Sequence, residues 1–421
     1  GRGGDRGEER IERRRPLDAL FTAISAASVT GLVVVDTQDH WNLLGEVIIL
    51  LLIQAGGLGF MVGASLVLVS LGRGASLSDS LMLQDGSPTL TLEEAGVLSG
   101  RILRYIMLCE ALGAIALTGH FLRDEPPGVA LWYGVFHSIS AFCNAGFDLQ
   151  GNFQSLSGYA ESPVITIVVM LLIQAGALSF MVVNDLWMRR SWRRLNFDTK
   201  LITITNVLML LAGTLLFLAL EWNHSMASVA TWAKPMTALF QSTAARTAGF
   251  ASVPFDDVQS PTNFLWIALM MVGGAAGSTA GGIKLATLAI IVIAVMSTVR
   301  GQSEAQAFGR RISPQLVFRS MAIIALFLFA HFLLTLGLAT TEGVFGDENF
   351  GFLPIMFETM SAMATVGLST GITPELTGAG KILLGIGMFF GRLGPLTAVY
   401  ALQRRQRPAR YRYAESTVRL G

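Results

Sequence analysis

IMFETMSAMATVGL at residues 355–368 is a half-apolar segment, too short to cross a bilayer, that ends in a glycine followed by a large apolar residue. The form occurs three more times, as DALFTAISAASVTGL at 18–32, GVFHSISAFCNAGF at 134–147 and ALFQSTAARTAGF at 238–250. Each is followed, after a polar interval, by a hydrophobic run long enough to cross. One such segment says little; four describe a single unit used four times. Non-helical chain survives at membrane depth only inside protein or along a water-filled cavity. Four re-entrant loops around one axis make a ring of backbone carbonyls, which is the architecture of a cation pore.

Composition agrees. Of 421 residues, 52% are hydrophobic and 14% charged, against about 25% charged in soluble domains. The net charge of +1 gives no sign of a nucleic-acid partner. Cys109 and Cys143 lie in apolar surroundings and read as buried thiols rather than a disulfide. The opening GRGGDRGEERIERRRP is neither a signal peptide nor a span.

A helix needs about 20 apolar residues to cross. Spans are expected near 43–71, 102–122, 163–188, 201–221, 263–299, 316–340 and 379–402, the fifth interrupted by GGAAGSTAGG. The chain therefore reads as an all-α membrane protein of four pseudo-repeats, each an outer helix, a re-entrant pore loop and an inner helix, around one central pore. The expected divisions are a polar linker (1–16), repeat one with loop and inner helix only (17–71), repeat two (99–190), repeat three with a broken inner helix (200–300), repeat four (314–403) and a tail (404–421). Seven spans is one short of four pairs, so the first outer helix is expected to be missing. LLIQAGGLGFMV at 51–62 and LLIQAGALSFMV at 171–182 support duplication. Basic loops follow the inner spans (RRSWRRLNFDTK at 189–200, then Arg300, Arg310, Arg311 and Arg319, then the tail), whereas Asp124, Glu125, Asp256, Asp257, Glu342, Asp347 and Glu348 flank the glycine segments. By the positive-inside rule the glycine loops open outward and the tail is cytoplasmic. The arginine run at 9–15 goes against this pattern.

A cation leaving water needs its hydration shell replaced, and carbonyls do so without a fixed charge that would trap it. Aiming successive carbonyls at one axis requires backbone angles that glycine adopts cheaply. The expected filter lines are Val29-Thr30-Gly31, Asn144-Ala145-Gly146, Thr247-Ala248-Gly249 and Thr365-Val366-Gly367, with potassium as the ion. TVGL at 365–368 is close to the TVGYG of potassium channels, with one glycine per line rather than two.

The segments ALFTAISAASVTGLVVVDT, LLIQAGGLGFM, FHSISAFCNAGFDL, RTAGF, GSTAGGIK, ATVGLSTGITPEL and GRLGPLT are similar to the membrane subunit of Ktr-type potassium transporters, in the Trk/Ktr/HKT superfamily. The resemblance spans nearly the whole chain, and RYRYAESTVRLG at its end resembles Ktr more than Trk. It implies potassium uptake across the bacterial cytoplasmic membrane, with sodium as a candidate activating ion and no covalent cofactor. It also implies a homodimer with one pore per subunit and a cytosolic regulatory ring that binds adenine nucleotides and NAD-type ligands.

By the same resemblance, the break in the third inner span is an intramembrane gate at Gly273, Gly274, Gly277, Ser278, Thr279, Gly281 and Gly282, with Lys284 at its exit. No GK[ST] follows at P-loop spacing. Arg392 sits near the middle of the last span, where a charge costs about 2.5–3.5 kcal/mol on insertion scales. It is expected to face the pore beneath the filter as a cation barrier; a buried ion pair with Glu358 is the competing reading. Thr22, His137, Gln241 and Glu358 each follow a phenylalanine and are expected to satisfy the surroundings of the pore segments. His331 is expected to be a packing or hydrogen-bonded residue. The basic loops are expected to lie against anionic lipid.

Two other classes share some of these features. An intramembrane protease needs a Ser–His or paired-Asp arrangement, and no such motif is present. A secondary transporter of another small solute also uses repeats and broken helices, but organic solutes need side-chain pockets rather than four main-chain lines.

Overall fold

The computed structural model describes residues 4–59, 92–345 and 350–393. Its helices are α1 (Gly4–Ser28), α2 (Leu43–Leu58), α3 (Leu92–Phe121), α4 (Pro127–Cys143), α5 (Pro163–Ala177), α6 (Ser179–Arg189), α7 (Phe197–Glu221), α8 (Lys234–Ala244), α9 (Ser260–Met270), α10 (Leu285–Val299), α11 (Pro314–Phe345), α12 (Phe352–Met363) and α13 (Gly378–Leu393). A two-stranded hairpin, β1 (Gln306–Ala307) with β2 (Arg310–Arg311), pairs Gln306 with Arg311.

Among the described residues three helices are long and apolar enough to span: α3 from Ser99, α7, and α11 as far as Gly343. Only 28, 28 and 22% of their apolar stretches is buried. Leu108, Leu112 and Ile115 on α3, Leu208, Leu211 and Leu215 on α7, and Phe329, Phe332 and Leu336 on α11 are exposed. A row of exposed apolar side chains is tolerable only against lipid, so these three helices form the periphery.

The centre is the reverse. The short helices α4, α8 and α12 and the C-terminal half of α1 are buried, yet carry Ser138, Ser140, Thr237, Gln241, Ser242, Thr243, Glu358, Thr359 and Ser361. Buried polar groups need partners, and here the hydroxyls bond mostly to backbone carbonyls. Pro127 and Pro163 open α4 and α5, where a missing N–H costs nothing.

Contacts between units run in one direction. α2 packs on α4, α5 on α8, α9 on α12, and α13 returns to α1. Each helix that follows a short segment thus packs on the short helix of the next unit, and the fourth closes on the first. A head-to-tail contact that closes makes a ring. Lys381 of α13 and Asp18 of α1 seal that closure at 2.8 Å, with side chains only 5 and 15% exposed. Breaking a buried pair costs about 3–5 kcal/mol. Asp18→Asn should therefore lower the midpoint of thermal inactivation in detergent by several degrees, and Asp18→Leu with Lys381→Met should recover most of the loss.

A second tie recurs. The ends of the peripheral helices hold the starts of the helices after each short segment: His120 meets Ser162 at 3.4 Å, Glu221 accepts from Gln259 N and the Thr262 hydroxyl, and Glu342 accepts from Thr377 N and its hydroxyl. Carboxylates there also suit the positive end of a helix. Glu342, read from sequence as a solvated loop charge, lies within α11 and is 2% exposed.

Two segments depart from the sequence reading. Residues 4–16, read as a linker, are helical and continuous with the first short segment. The span expected over 163–188 bends by 102° between α5 and α6, where Ser179 has φ 65°. The Gly176 and Ala177 carbonyls, which a straight helix would pair internally, instead accept from Thr279 N (3.2 Å) and Ala275 N (2.8 Å). The break at 271–284 between α9 and α10 falls where the sequence placed it. The tail at 404–421, and the expected spans beyond Gly59 and Leu393, lie outside the described residues.

Candidate functional site

All four short segments end in the same strained turn. Val29, Asn144, Thr247 and Thr365 have φ between 52 and 65°, and Gly31, Gly146, Gly249 and Gly367 have φ between 69 and 96°. Left-handed backbone is a genuine outlier for β-branched Val and Thr, and it clusters at sites whose surroundings enforce it. A shared hydrogen-bond pattern does so here. Val29, Asn144 and Thr365 N–H donate to Ala26, Ala141 and Ala362, each at 3.1 Å, and Thr30, Ala145 and Val366 N–H donate to Ser25, Ser140 and Ser361, each at 2.8 Å. This is the Schellman ending of a helix. The Ser25 and Ser361 hydroxyls also accept from Gly31 and Gly367 N at 3.1 Å. The third turn is tighter: Phe240 and Gly249 are one residue closer than Phe21 and Gly31, Ala244 replaces the serine, and its carbonyl takes both Ala248 and Gly249 N.

The four turns meet. A Cβ placed on Gly31 would stand 2.4 Å from the Ala145 carbonyl oxygen; on Gly146, 2.9 Å from that of Ala248; on Gly249, 2.6 Å from that of Val366; on Gly367, 2.2 Å from that of Thr30. Each glycine therefore abuts the preceding residue of the next line, and the order is cyclic. Among the described residues none of these four carbonyl oxygens accepts a hydrogen bond, and the Thr247 and Thr365 hydroxyls are buried without a partner. Buried carbonyls are otherwise almost always paired. Uncharged oxygens gathered in a ring, without fixed charge, suit a desolvated monovalent cation as substrate.

Beneath the ring, three glycines let the following helices touch the short ones. Gly56, Gly176 and Gly391 would place a Cβ about 2 Å from the Ala27, Phe142 and Met363 carbonyls (2.1, 1.9 and 1.8 Å). The sequence reading missed these glycines and the serines of the turns. Their signal was present: Gly56 and Gly176 share the QAG motif, and Ser25, Ser140 and Ser361 each stand four residues after the phenylalanine.

The 271–284 segment folds back beside this floor. Val272 pairs with Ile283, Gly273 N donates to Ile283 O (2.9 Å), and Leu285 N to Gly274 O (3.0 Å). The Thr279 hydroxyl reaches the Phe142 carbonyl (3.2 Å) and the Asn144 side chain (3.3 Å), so the loop touches the second glycine turn. Gly281 packs against Thr365 and Ala364, and Gly273 against Thr247. Ser278 is buried, and Gly277 and Gly282 have positive φ.

Arg392 ties the loop to the first unit. Its guanidinium donates to the Thr279 carbonyl and to the Gly56 carbonyl, the latter at 2.7 Å. The ion pair with Glu358 does not form: Glu358 is fully buried and accepts from the Ser369 hydroxyl (2.6 Å), Thr370 N (2.8 Å) and the Thr373 hydroxyl (2.7 Å). Lys284 donates to the Ala280 carbonyl at 2.7 Å.

Glu358 thus braces the chain leaving the fourth glycine. Gln241 does the same for the third through Val253 O (2.8 Å), and His137 for the second through Leu149 N (3.3 Å); Thr22 donates to Asp18 O in its own helix. His331 is buried in α11. Cys109 and Cys143 are free thiols. Glu110, not singled out from sequence, is a buried carboxylate that accepts from Gln54 (3.0 Å) beside Cys143.

The TrkH family, described as "Cation transport protein", matches residues 9–408. Ktr system potassium uptake protein B of Vibrio alginolyticus is 37% identical over 96% of this chain and 88% of its own length. Potassium/sodium uptake protein NtpJ of Enterococcus hirae is 35% identical over 96 and 90%. The crystal structure of the potassium transporter TrkH from Vibrio parahaemolyticus superposes with TM-score 0.68, covering 92% of this chain and 78% of that one at 21% identity. That structure supports the fold, and the relatives are transporters rather than enzymes. With these matches the cyclic helical architecture has its family: the chain is a membrane subunit of the Trk/Ktr/HKT superfamily and belongs to the TrkH family of cation transport proteins.

Proposed function

We propose that this chain takes up potassium across the bacterial cytoplasmic membrane through a single central pathway. The carrying observation is the closed cycle of Gly31, Gly146, Gly249 and Gly367 with the carbonyls of Thr30, Ala145, Ala248 and Val366. The four lines act as the selectivity filter, and Val29, Asn144, Thr247 and Thr365 set the turns that aim them. The short helices end at the filter, so their negative poles favour a cation.

The segment from Gly273 to Gly282 acts as the gate. It lies below the filter and is held in part by hydrogen bonds to main-chain carbonyls at the end of α5. Arg392 and Lys284 bring positive charge to the same level. Arg392 both holds the loop at Thr279 and opposes a cation leaving the filter.

Basic residues at 189–200 and 300–319 support a cytoplasmic gate side by the positive-inside rule, and the C-terminus is proposed to lie on that side. The names of the relatives support a multi-component system, and the partner proposed is a cytosolic nucleotide-binding ring, with the chain itself as a homodimer. Sodium as an activating ion is consistent with the potassium/sodium uptake relative.

Growth of a bacterium lacking potassium uptake, on limiting potassium, tests the reading. Expression of this chain with its ring partner should restore growth, and rubidium should be accumulated. Failure to accumulate rubidium while the protein is present in the membrane would overturn it.

A further inference from the structure

We propose that the cleft between the α6–α7 corner and the β1–β2 hairpin binds the phosphate headgroup of an anionic phospholipid. The cleft has a volume of about 170 Å³ and is lined by Arg189, Arg193, Arg194, Lys200, Phe308 and Arg310, among others; no carboxylate is among the described residues that line it. Of the neighbouring acids, Asp185 is engaged by Arg189 Nε (2.6 Å) and Asn196 N (2.9 Å), and Asp198 stands in the first turn of α7. Five cations from two separate stretches of chain therefore share one concavity.

Main-chain carbonyls hold two of these side chains in place. Lys200 donates to the Arg193 carbonyl (3.3 Å), and Arg189 to that of Arg194. Phe197 and Phe308 meet edge to face at 5.9 Å, joining the corner to the hairpin. α7 starts at Phe197, and its first turn lacks a side-chain cap. The positive end of a 25-residue helix thus adds its free N–H groups to the arginines, a combination that suits phosphate.

The surroundings select a lipid over a soluble phosphate. Trp187, Met188 and Trp192 are exposed beside the cleft, Trp187 by 72%, and the Arg190 guanidinium lies 5.5 Å from the Trp187 ring. Exposed tryptophans beside basic residues mark the headgroup level of a membrane. Leu208, Leu211 and Leu215 continue along the lipid side of α7 and give the acyl chains a surface to follow. The bound headgroup would join the hairpin that follows α10, the far half of the broken helix, to the peripheral α7.

The experiment is native mass spectrometry of the full chain, delipidated in detergent and titrated with phosphatidylglycerol or phosphatidylcholine. Wild type should retain phosphatidylglycerol in preference. The double variant Arg193→Gln/Arg194→Gln should lose that retention on the order of tenfold, since each basic side chain near an anionic surface carries a substantial share of the attraction. The control double Arg300→Gln/Arg319→Gln, on the same basic face but outside the cleft, should hold it. Equal loss in both doubles would overturn the site in favour of diffuse surface charge. Displacement of the lipid by millimolar inorganic phosphate would overturn the lipid assignment in favour of a soluble anion. Size-exclusion profiles of the variants distinguish either result from misfolding.

Discussion

Gly367→Ala is expected to abolish selective potassium uptake while leaving the protein folded in the membrane. Gly367 has φ +94°, and the new Cβ would stand 2.2 Å from the Thr30 carbonyl oxygen and 3.0 Å from Gly31 Cα. Two penalties combine. A non-glycine residue at such an angle costs about 1–3 kcal/mol, and the carbonyl facing it must move away from its ring position. Together they predict a loss of potassium affinity of roughly ten- to a hundredfold. They also predict weaker discrimination against sodium, because the displaced oxygen no longer matches the geometry of the other three. Gly301 supplies the control. Its φ is +69°, yet nothing stands within 4 Å of a built Cβ. Gly301→Ala therefore carries angular strain without intrusion into the ring. Rubidium uptake with sodium competition, in vesicles reconstituted with each variant, separates the two. If Gly367→Ala keeps the wild-type ion preference, the four lines are not the filter.

The glycine lines were legible in the sequence because their demand is local. A chain that must turn with positive φ at the end of a short helix nearly requires glycine, and Gly31, Gly146, Gly249 and Gly367 recur after the same Phe-containing segment. The break at 271–284 was legible for a related reason: GGAAGSTAGG cannot continue an apolar helix at low cost. The bend at Ser179 was not. LLIQAGALSFMV reads as one membrane-spanning run despite Gln174 and Ser179, and the groups that draw Gly176 and Ala177 out of the helix belong to Ala275 and Thr279, distant in the chain. Glu342 was misplaced for the same reason, since its acceptors are filled by Thr377, just before α13. Local backbone need can be read from neighbours in sequence; a carbonyl recruited from another unit cannot. The partners of Arg392 belong to that second class. Thr279 and Gly56 offer it main-chain oxygens, which carry no sequence signal, and the carboxylate that sequence offered, Glu358, is already satisfied by its own unit.

Arg392→Gln is expected to raise cation flux, and Arg392→Lys decides why. The guanidinium spans two carbonyls from different parts of the chain, Thr279 in the 271–284 segment and Gly56 in the first unit. Hydrogen bonds to a charged group are worth about 1.5–3 kcal/mol each. Losing the bond to Thr279 alone would shift the balance toward a displaced loop by roughly ten- to a hundredfold. Glutamine keeps a single amide donor group on a shorter stem and cannot bridge both oxygens. Lysine keeps the charge but is a point donor without the planar fork. If Arg392 acts chiefly as a strap, lysine should resemble glutamine, with flux raised in both. If it acts chiefly as an electrostatic barrier, lysine should resemble arginine. Thr279→Val completes the set: it removes the hydroxyl contacts to Phe142 and Asn144 while leaving the carbonyl that Arg392 holds. Raised flux in Thr279→Val with unchanged ion preference would place the hydroxyl in the restraint of the loop. Altered preference would show that the loop also positions the second filter line, because Asn144 stands at φ 60° directly before Ala145 and Gly146. Wild-type flux in Arg392→Gln, measured by rubidium uptake at equal protein, would remove Arg392 from both roles.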